Sequence, residues 1–129
     1  MAVKKIDWNS ITDDKFEELC RAILNINGYY NIESVGGSGD RGRDLVASKD
    51  KEIVRGKKTT EKWTIQCKRW IERKPAPTDL DKTLVWAKAH NPNGVLFFIA
   101  NTVTSDTHDW LEEYSKTNKI EIHRIDRIA

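Results

Sequence analysis

No stretch of this 129-residue chain approaches the ~20 consecutive apolar residues of a membrane-spanning helix. Apolar residues make up 38% of it and are broken up by charge, which excludes a helical membrane protein and predicts one soluble domain around a single core, spanning 1–129. The opening, Met1-Ala2-Val3-Lys4-Lys5-Ile6-Asp7, lacks the apolar run of a signal peptide, so a cytoplasmic location is expected. Cysteine is scarce: Cys20 falls on an expected helix and Cys67 on an expected strand. Neither has metal-ligand spacing, so reduced thiols are expected and a disulfide framework is excluded. The three histidines, His90, His108 and His123, form no pair at ligand spacing and read as incidental surface residues. Internal repeats and low-complexity tracts are absent as well.

What the chain does have is charge, unevenly placed. The net value of +2 hides a balance of +5 over residues 33–75, where 12 Lys/Arg face 7 Asp/Glu. The excess gathers in Arg41, Arg43, Arg55, Lys57, Lys58, Lys62, Lys68, Arg69, Arg73 and Lys74. A local basic field of this kind suits a polyphosphate backbone as partner. A chain one-third charged also produces such a run by chance, so the field alone decides nothing.

The first helix is expected from Thr12 to Asn27. Thr12 reads as the N-cap, Asp13 and Asp14 suit the positive end of the helix dipole, and Gly28 marks the stop. At 100° per residue Phe16, Leu19, Cys20, Ile23, Leu24 and Ile26 form one apolar stripe. Glu17 falls at its border beside Leu24, whereas Glu18 falls nearly opposite and reads as solvated. Tyr29 to Val35 then reads as a strand. The following Gly37, Gly39 and Gly42 match G-x-G-x-x-G, but the dinucleotide-binding reading is rejected because that turn must open a helix. Here Asp44-Leu45-Val46-Ala47 follows, a strand pattern.

Residues 48–62 are polar and read as a long hairpin loop or frayed strand ends. Trp63-Thr64-Ile65-Gln66-Cys67-Lys68-Arg69-Trp70 has the apolar, Thr and aromatic content of a strand. After Pro75-Ala76-Pro77, Thr78 is expected to cap a helix ending near His90. Val95 to Ala100 is a continuous apolar run, expected of a strand buried on both faces. A helix near Ser105 to Lys116 turns Trp110, Leu111 and Tyr114 inward, and Ile120, Ile122 and Ile125 suggest a last strand. The order α-β-β-β-α-β-α-β predicts an α/β, three-layer fold with a mixed central sheet.

Side chains alternate along a strand, so Gln66 and Lys68 share one face. If the Asp44 strand pairs with theirs, a carboxylate, an amide oxygen and an ammonium converge. Oxygen ligands suit a hard divalent cation, and a lysine suits the water or phosphoryl oxygen beside it. The chemistry that follows is metal-dependent hydrolysis of a phosphodiester. Arg69 and Trp70 are read as candidate substrate contacts.

A helix with a Phe-Glu pair, then Gly-Asp-x-Gly-x-Asp, then Gln-x-Lys, then a helix and a buried strand, resembles the Mrr-type restriction endonuclease catalytic domain of the PD-(D/E)xK superfamily. The resemblance covers nearly the whole chain from Phe16 onward. It implies the restriction-endonuclease-like fold, an α-β-β-β-α-β core here extended by a C-terminal helix and strand. It also implies a Mg²⁺- or Mn²⁺-dependent endonuclease acting on double-stranded DNA, with a role in restriction or anti-phage defence. On that likeness Asp44 is the metal-binding carboxylate, Gln66 fills the usual Asp/Glu slot, Lys68 is the catalytic lysine and Glu17 the helix-borne acid. Asp40 matches the first acidic position of the loop. The Cys67 carbonyl is a further candidate metal ligand, and Arg41, Arg43, Lys57, Lys58, Arg69, Arg73 and Lys74 are candidate DNA contacts. An amide at Gln66 keeps an oxygen ligand while removing one negative charge from the site. Two rival readings stay open: a junction-resolvase-like nuclease, and a non-cleaving DNA-binding module. The chain's length suggests a catalytic piece of a longer protein, fused to or associated with a recognition or regulatory domain; a homodimer is a candidate assembly, which the sequence does not decide.

Overall fold

Helix α1 (Asp13–Ile26) starts where a threonine can satisfy its first free amide: Thr12 Oγ1 accepts from the Lys15 backbone at 3.2 Å. In the computed structural model, which describes residues 11–35, 43–68 and 73–126, α1 is followed by β1 (Tyr29–Val35), β2 (Arg43–Val54) and β3 (Lys57–Lys68). Then come α2 (Pro77–His90), β4 (Gly94–Ile99), α3 (Ser105–Asn118) and β5 (Glu121–Asp126). This is the element order expected from the sequence. The five strands form one sheet in the order β1-β2-β3-β4-β5. β1, β2 and β3 run antiparallel, and β3, β4 and β5 run parallel, so the sheet is mixed.

Two apolar clusters bind the layers. On one face Phe16, Cys20 and Leu24 of α1 pack on Leu45, Ala47, Trp63, Ile65, Cys67, Leu96 and Phe98. On the other, Leu80, Leu84 and Ala87 of α2 and Leu111 of α3 cover Val95, Phe97 and Ile99. All six β4 residues are buried, because helices lie on both sides of that strand. The alternation is strict on β3: Ile65 and Cys67 enter the α1 cluster, while Gln66 belongs to the α2–α3 side. Cys20 and Cys67 are both buried in the core and neither forms a disulfide. No helix among the described residues is long and apolar enough to cross a membrane.

Three expectations need correction. Residues 48–62 are neither loop nor frayed ends; they continue β2 and β3 into an exposed two-stranded ribbon closed at Arg55-Gly56. Gly56 supplies the left-handed φ of +84° that the turn needs. The ribbon shows no hydrophobic period because no layer covers it, and opposed charges such as Lys49 with Glu61 and Glu52 with Lys58 support it instead. The second correction is the cap of α2, which is Ala76 and not Thr78. Pro77 takes the first helical position, where its missing amide costs nothing, and the Asp79 carboxylate accepts from the Ala76 amide at 2.7 Å. Third, Ile26 is 83% exposed, because the last turn of α1 runs past the sheet it packs on.

Gly94 is required by close approach. A Cβ at this position would stand 2.5–2.9 Å from the six-membered ring of Trp63, which is itself buried in the α1 cluster. Gly94→Ala is therefore expected to destabilise the fold by ~1–3 kcal/mol, the usual cost of overpacking. Urea unfolding measures it, and an unchanged midpoint would show that the indole can shift freely.

Candidate active site

The antiparallel ladder between β2 and β3 sets the geometry of the site. Asp44 pairs directly with Gln66, and on its other side Asp44 pairs with Val35 at the end of β1. Directly opposed residues in such a pair have Cα atoms about 4.5–5.5 Å apart and occupy one face. Lys68, two residues past Gln66, takes the next position of the same alternation and pairs with Ile99 on β4. Asp44, Gln66 and Lys68 are thus brought together at one end of the sheet, where β3, β4 and β5 finish and α2 and α3 begin. That end of parallel strands is where open α/β sheets receive ligands.

Gln66 carries the most telling feature. It is 9% exposed, and its Oε1 is buried with no hydrogen-bond partner among the described residues. A buried acceptor left unpaired costs roughly 1–3 kcal/mol, so its position calls for a donor or a cation. A neutral oxygen directly opposite an aspartate fits a hard divalent ion, which takes oxygen ligands and commonly only one or two carboxylates.

Glu17 and Glu18 are separated as helical spacing demands. The Glu17 side chain is 13% exposed, whereas that of Glu18 is 70% exposed and lies 3.9 Å from Lys15. Glu17 Oε1 accepts from Ser34 Oγ at 3.3 Å and stands 3.9 Å from Arg21. Ser34 pairs with Leu45, the neighbour of Asp44, so Glu17 reaches the same end of the sheet from the α1 side. Arg21, which sequence reasoning passed over, ties this corner together. Its Nη1 donates to the Ile32 carbonyl at 3.2 Å, and its Nη2 donates to Ser34 Oγ at 2.6 Å. The available signal was its i+4 spacing from Glu17.

The basic residues divide in two. Lys57 and Lys58 open β3 in the exposed ribbon, some nine residues or about 30 Å from Gln66, and Lys58 pairs with Glu52. The structure does not bring them to the site. Arg43 pairs with Cys67, and Arg73 and Lys74 follow β3 on the side where α2 starts. Arg73 holds the Asp79 carboxylate with both terminal nitrogens, at 2.5 and 2.7 Å, and that hydrogen-bonded charge raises the guanidinium pKa. Asp40, Arg41, Arg69, Trp70 and the glycine loop lie outside the described residues.

His108 is not an incidental surface residue. With Asp109 and Glu112 it forms a cluster on α3 whose ligand atoms lie within 4.8 Å of one another. Its Nδ1 is 2.9 Å from Arg124 Nη2 and its Nε2 is 3.0 Å from Glu112. Arginine can only donate, so Nδ1 accepts and Nε2 carries the proton toward Glu112. A ligating histidine likewise donates one N–H to a carboxylate but keeps its other nitrogen free for the ion; here Arg124 occupies Nδ1, so the cluster fits a metal poorly. His123 pairs with Glu121 at 3.4 Å, and His90 stacks on Trp86.

A family model described as restriction endonuclease, Mrr_cat, matches residues 8–129. No curated protein and no solved structure matches the chain.

The orphaned Gln66 oxygen yields a test that needs no substrate. In EDTA, Gln66→Leu is expected to stabilise the fold by ~1 kcal/mol, because a buried acceptor without a donor is removed. Addition of Mn²⁺ should raise the thermal midpoint of the native chain but not of this variant. A loss of stability in EDTA would show that the amide oxygen already has a donor.

Proposed function

The chain belongs to the Mrr_cat restriction endonuclease family, and from that premise we propose that it is a Mg²⁺- or Mn²⁺-dependent endonuclease hydrolysing the phosphodiester bonds of double-stranded DNA. Family membership makes it a nuclease of the restriction-endonuclease type, with DNA as its substrate. The observation that carries the finer reading is the buried, unpartnered Gln66 oxygen directly opposite Asp44.

The ion would be held by the Asp44 carboxylate and Gln66 Oε1, with the Cys67 carbonyl as a further oxygen; Glu17 stands at the same end of the sheet on the α1 face and would join them only around the ends of the strands. Bound there, it supplies positive charge to the scissile phosphoryl oxygens and acidifies water. The amide at Gln66 leaves the site one negative charge poorer than a second carboxylate would, which eases the approach of an anionic phosphate. Lys68, as an ammonium, orients the attacking water, whose proton passes to solvent, and offsets charge growing on the phosphoryl oxygens. Asp40, four residues before Asp44 in the sequence, is assigned a supporting acidic role. Arg43, Arg73 and Lys74 hold neighbouring phosphates, with Arg41 and Arg69 beside them in sequence; such contacts position the duplex without reading it. Lys57 and Lys58 could serve only duplex well removed from the cleaved bond. One such site cuts one strand, so we assign double-strand cleavage to two copies of the chain. Choice of sequence falls to a fused or associated domain, and the biological role is defence.

Three substitutions test the assignment. Asp44→Ala should abolish metal-dependent plasmid cleavage and weaken Mn²⁺ binding by calorimetry while the fold persists; undiminished cleavage overturns the site. Lys68→Ala should slow single-turnover cleavage by ~10²–10³, the scale for one lost transition-state donor, with metal and DNA affinity near normal. A parallel loss of DNA binding would make Lys68 a phosphate anchor and favour the non-cleaving reading. Glu17→Gln should weaken activity and Glu18→Gln should leave it unchanged. Branched DNA assayed beside duplex decides between this reading and a junction-resolving nuclease.

A further inference from the structure

Past Tyr29 of β1 and Gly94 of β4, strands β2 and β3 continue alone as a two-stranded ribbon, and residues 50–60 are exposed throughout. A ribbon of this kind gains little stability from its own pairing, because no layer covers either face. Its side chains are not a neutral mixture either. Residues 49–62 hold six basic residues against three acidic ones, Asp50, Glu52 and Glu61.

The acids are occupied within the fold, and most of the cations are not. Asp50 accepts from the Tyr30 hydroxyl at 2.6 Å and from Thr60 Oγ1 at 3.3 Å. Glu52 accepts from the Gly56 amide at 3.3 Å, and Glu61 stands opposite Lys49. Lys51 stands opposite Thr59, Lys62 opposite Ser48 and Lys57 opposite Val54, while Arg55 lies in the turn. None of these four cations forms an ion pair with a described residue. The end of the ribbon adds an apolar tip. The register shifts between Glu52 and Val54, so Ile53 has no cross-strand partner, and Ile53 and Val54 are each 60% exposed.

Unpaired cations along an extended ribbon suit an extended polyanion, and an apolar tip among them suits one with apolar edges between its charges. Duplex DNA has both: phosphates along each wall of the major groove, and thymine methyls on its floor. That groove is about 12 Å wide and admits a two-stranded ribbon, whereas the minor groove is only about 6 Å wide. We propose that the β2–β3 ribbon is a DNA-binding arm that lies in the major groove. Lys51, Arg55 and Lys57 reach the bordering phosphates, and Ile53 and Val54 meet base edges. The turn at Arg55-Gly56 is roughly 35 Å along the strands from the Asp44–Gln66 pair, about one turn of duplex, so the arm grips DNA away from the cleaved bond. The arm presupposes the nuclease reading, which supplies DNA as its partner.

Fluorescence anisotropy of a duplex about three helical turns long, with Asp44→Ala as the parent chain, measures binding without cleavage, in EDTA and again in Mg²⁺. Lys51→Ala, Arg55→Ala and Lys57→Ala combined are expected to weaken binding at least roughly tenfold at ~0.1 M salt. The slope of log affinity against log salt should fall by ~3, about one for each lost phosphate contact. Ile53→Ser with Val54→Ser should weaken binding and leave the slope unchanged, because no charge is lost. Methyl green, a major-groove ligand, should compete, and netropsin, a minor-groove ligand, should not. Every substituted ribbon side chain is exposed, so the fold is expected to persist, and circular dichroism checks it. Unaltered affinity and slope in the triple variant, or competition by netropsin alone, would overturn the arm while leaving the nuclease reading intact. Self-association lost on Ile53→Ser with Val54→Ser, with DNA binding unchanged, would overturn it in favour of a contact between copies of the chain. Absence of DNA binding by the parent chain in both buffers would remove the arm and the nuclease reading together.

Discussion

The register of β2 against β3 is the constraint on which the rest depends. Because side chains alternate, a slip of one residue would move every side chain of a strand to the opposite face. Here Leu45 stands opposite Ile65 in the α1 cluster, which forces Asp44 opposite Gln66 on the far side. A one-residue slip would set Asp44 against an apolar neighbour and carry a charge toward the packed layer. The candidate site is therefore fixed by hydrophobic burial on the other face of the same two strands. Ile65 and Leu45, both fully buried, act on the chemistry without touching it.

The mixed sheet then divides the labour. The antiparallel half brings Asp44 beside Gln66, while Glu17 meets Ser34 at the same end of the sheet on the α1 face, with Arg21 bracing the edge strand. The parallel half places the starts of α2 and α3 at the same end as the site, capped by Ala76 with Asp79 and by Thr104. On β5, Arg124 lies in the row of Gln66 and Phe97, and Asp126 in the row of Lys68 and Ile99. The Arg124–His108–Glu112 chain of contacts thus borders the site two strands away and ties α3 to the edge strand β5.

Much of this was legible in the sequence where local and tertiary signals agree. The Thr12 cap, the α1 stripe and the fully apolar β4 each have a single physical solution, and the structure adopts it. The ribbon was hidden because it has no covered face, so its strands carry charge pairs and threonines in place of an apolar alternation. Ile26 looked like stripe because periodicity cannot say where a helix outruns its sheet. Thr78 looked like a cap because the sequence does not reveal that Asp79 reaches back to Ala76. The unpartnered atoms of Gln66 and Trp63, and the tautomer of His108, depend on packing between distant segments and leave no mark in spacing. For Asp44, Gln66 and Lys68 the sequence offers residue types at suggestive spacing, and only strand pairing makes them neighbours.

The central claim is the location of the metal at the Asp44–Gln66 pair, and metal-directed backbone cleavage tests it most directly. Fe²⁺ substituted for Mg²⁺, with ascorbate and peroxide, generates radicals that cut the polypeptide beside the ion. Cuts are expected near residues 44 and 66, competed away by excess Mg²⁺ and absent in Asp44→Ala. Cuts concentrated near residues 108–112 on α3, with the β2 and β3 positions intact, would contradict the account.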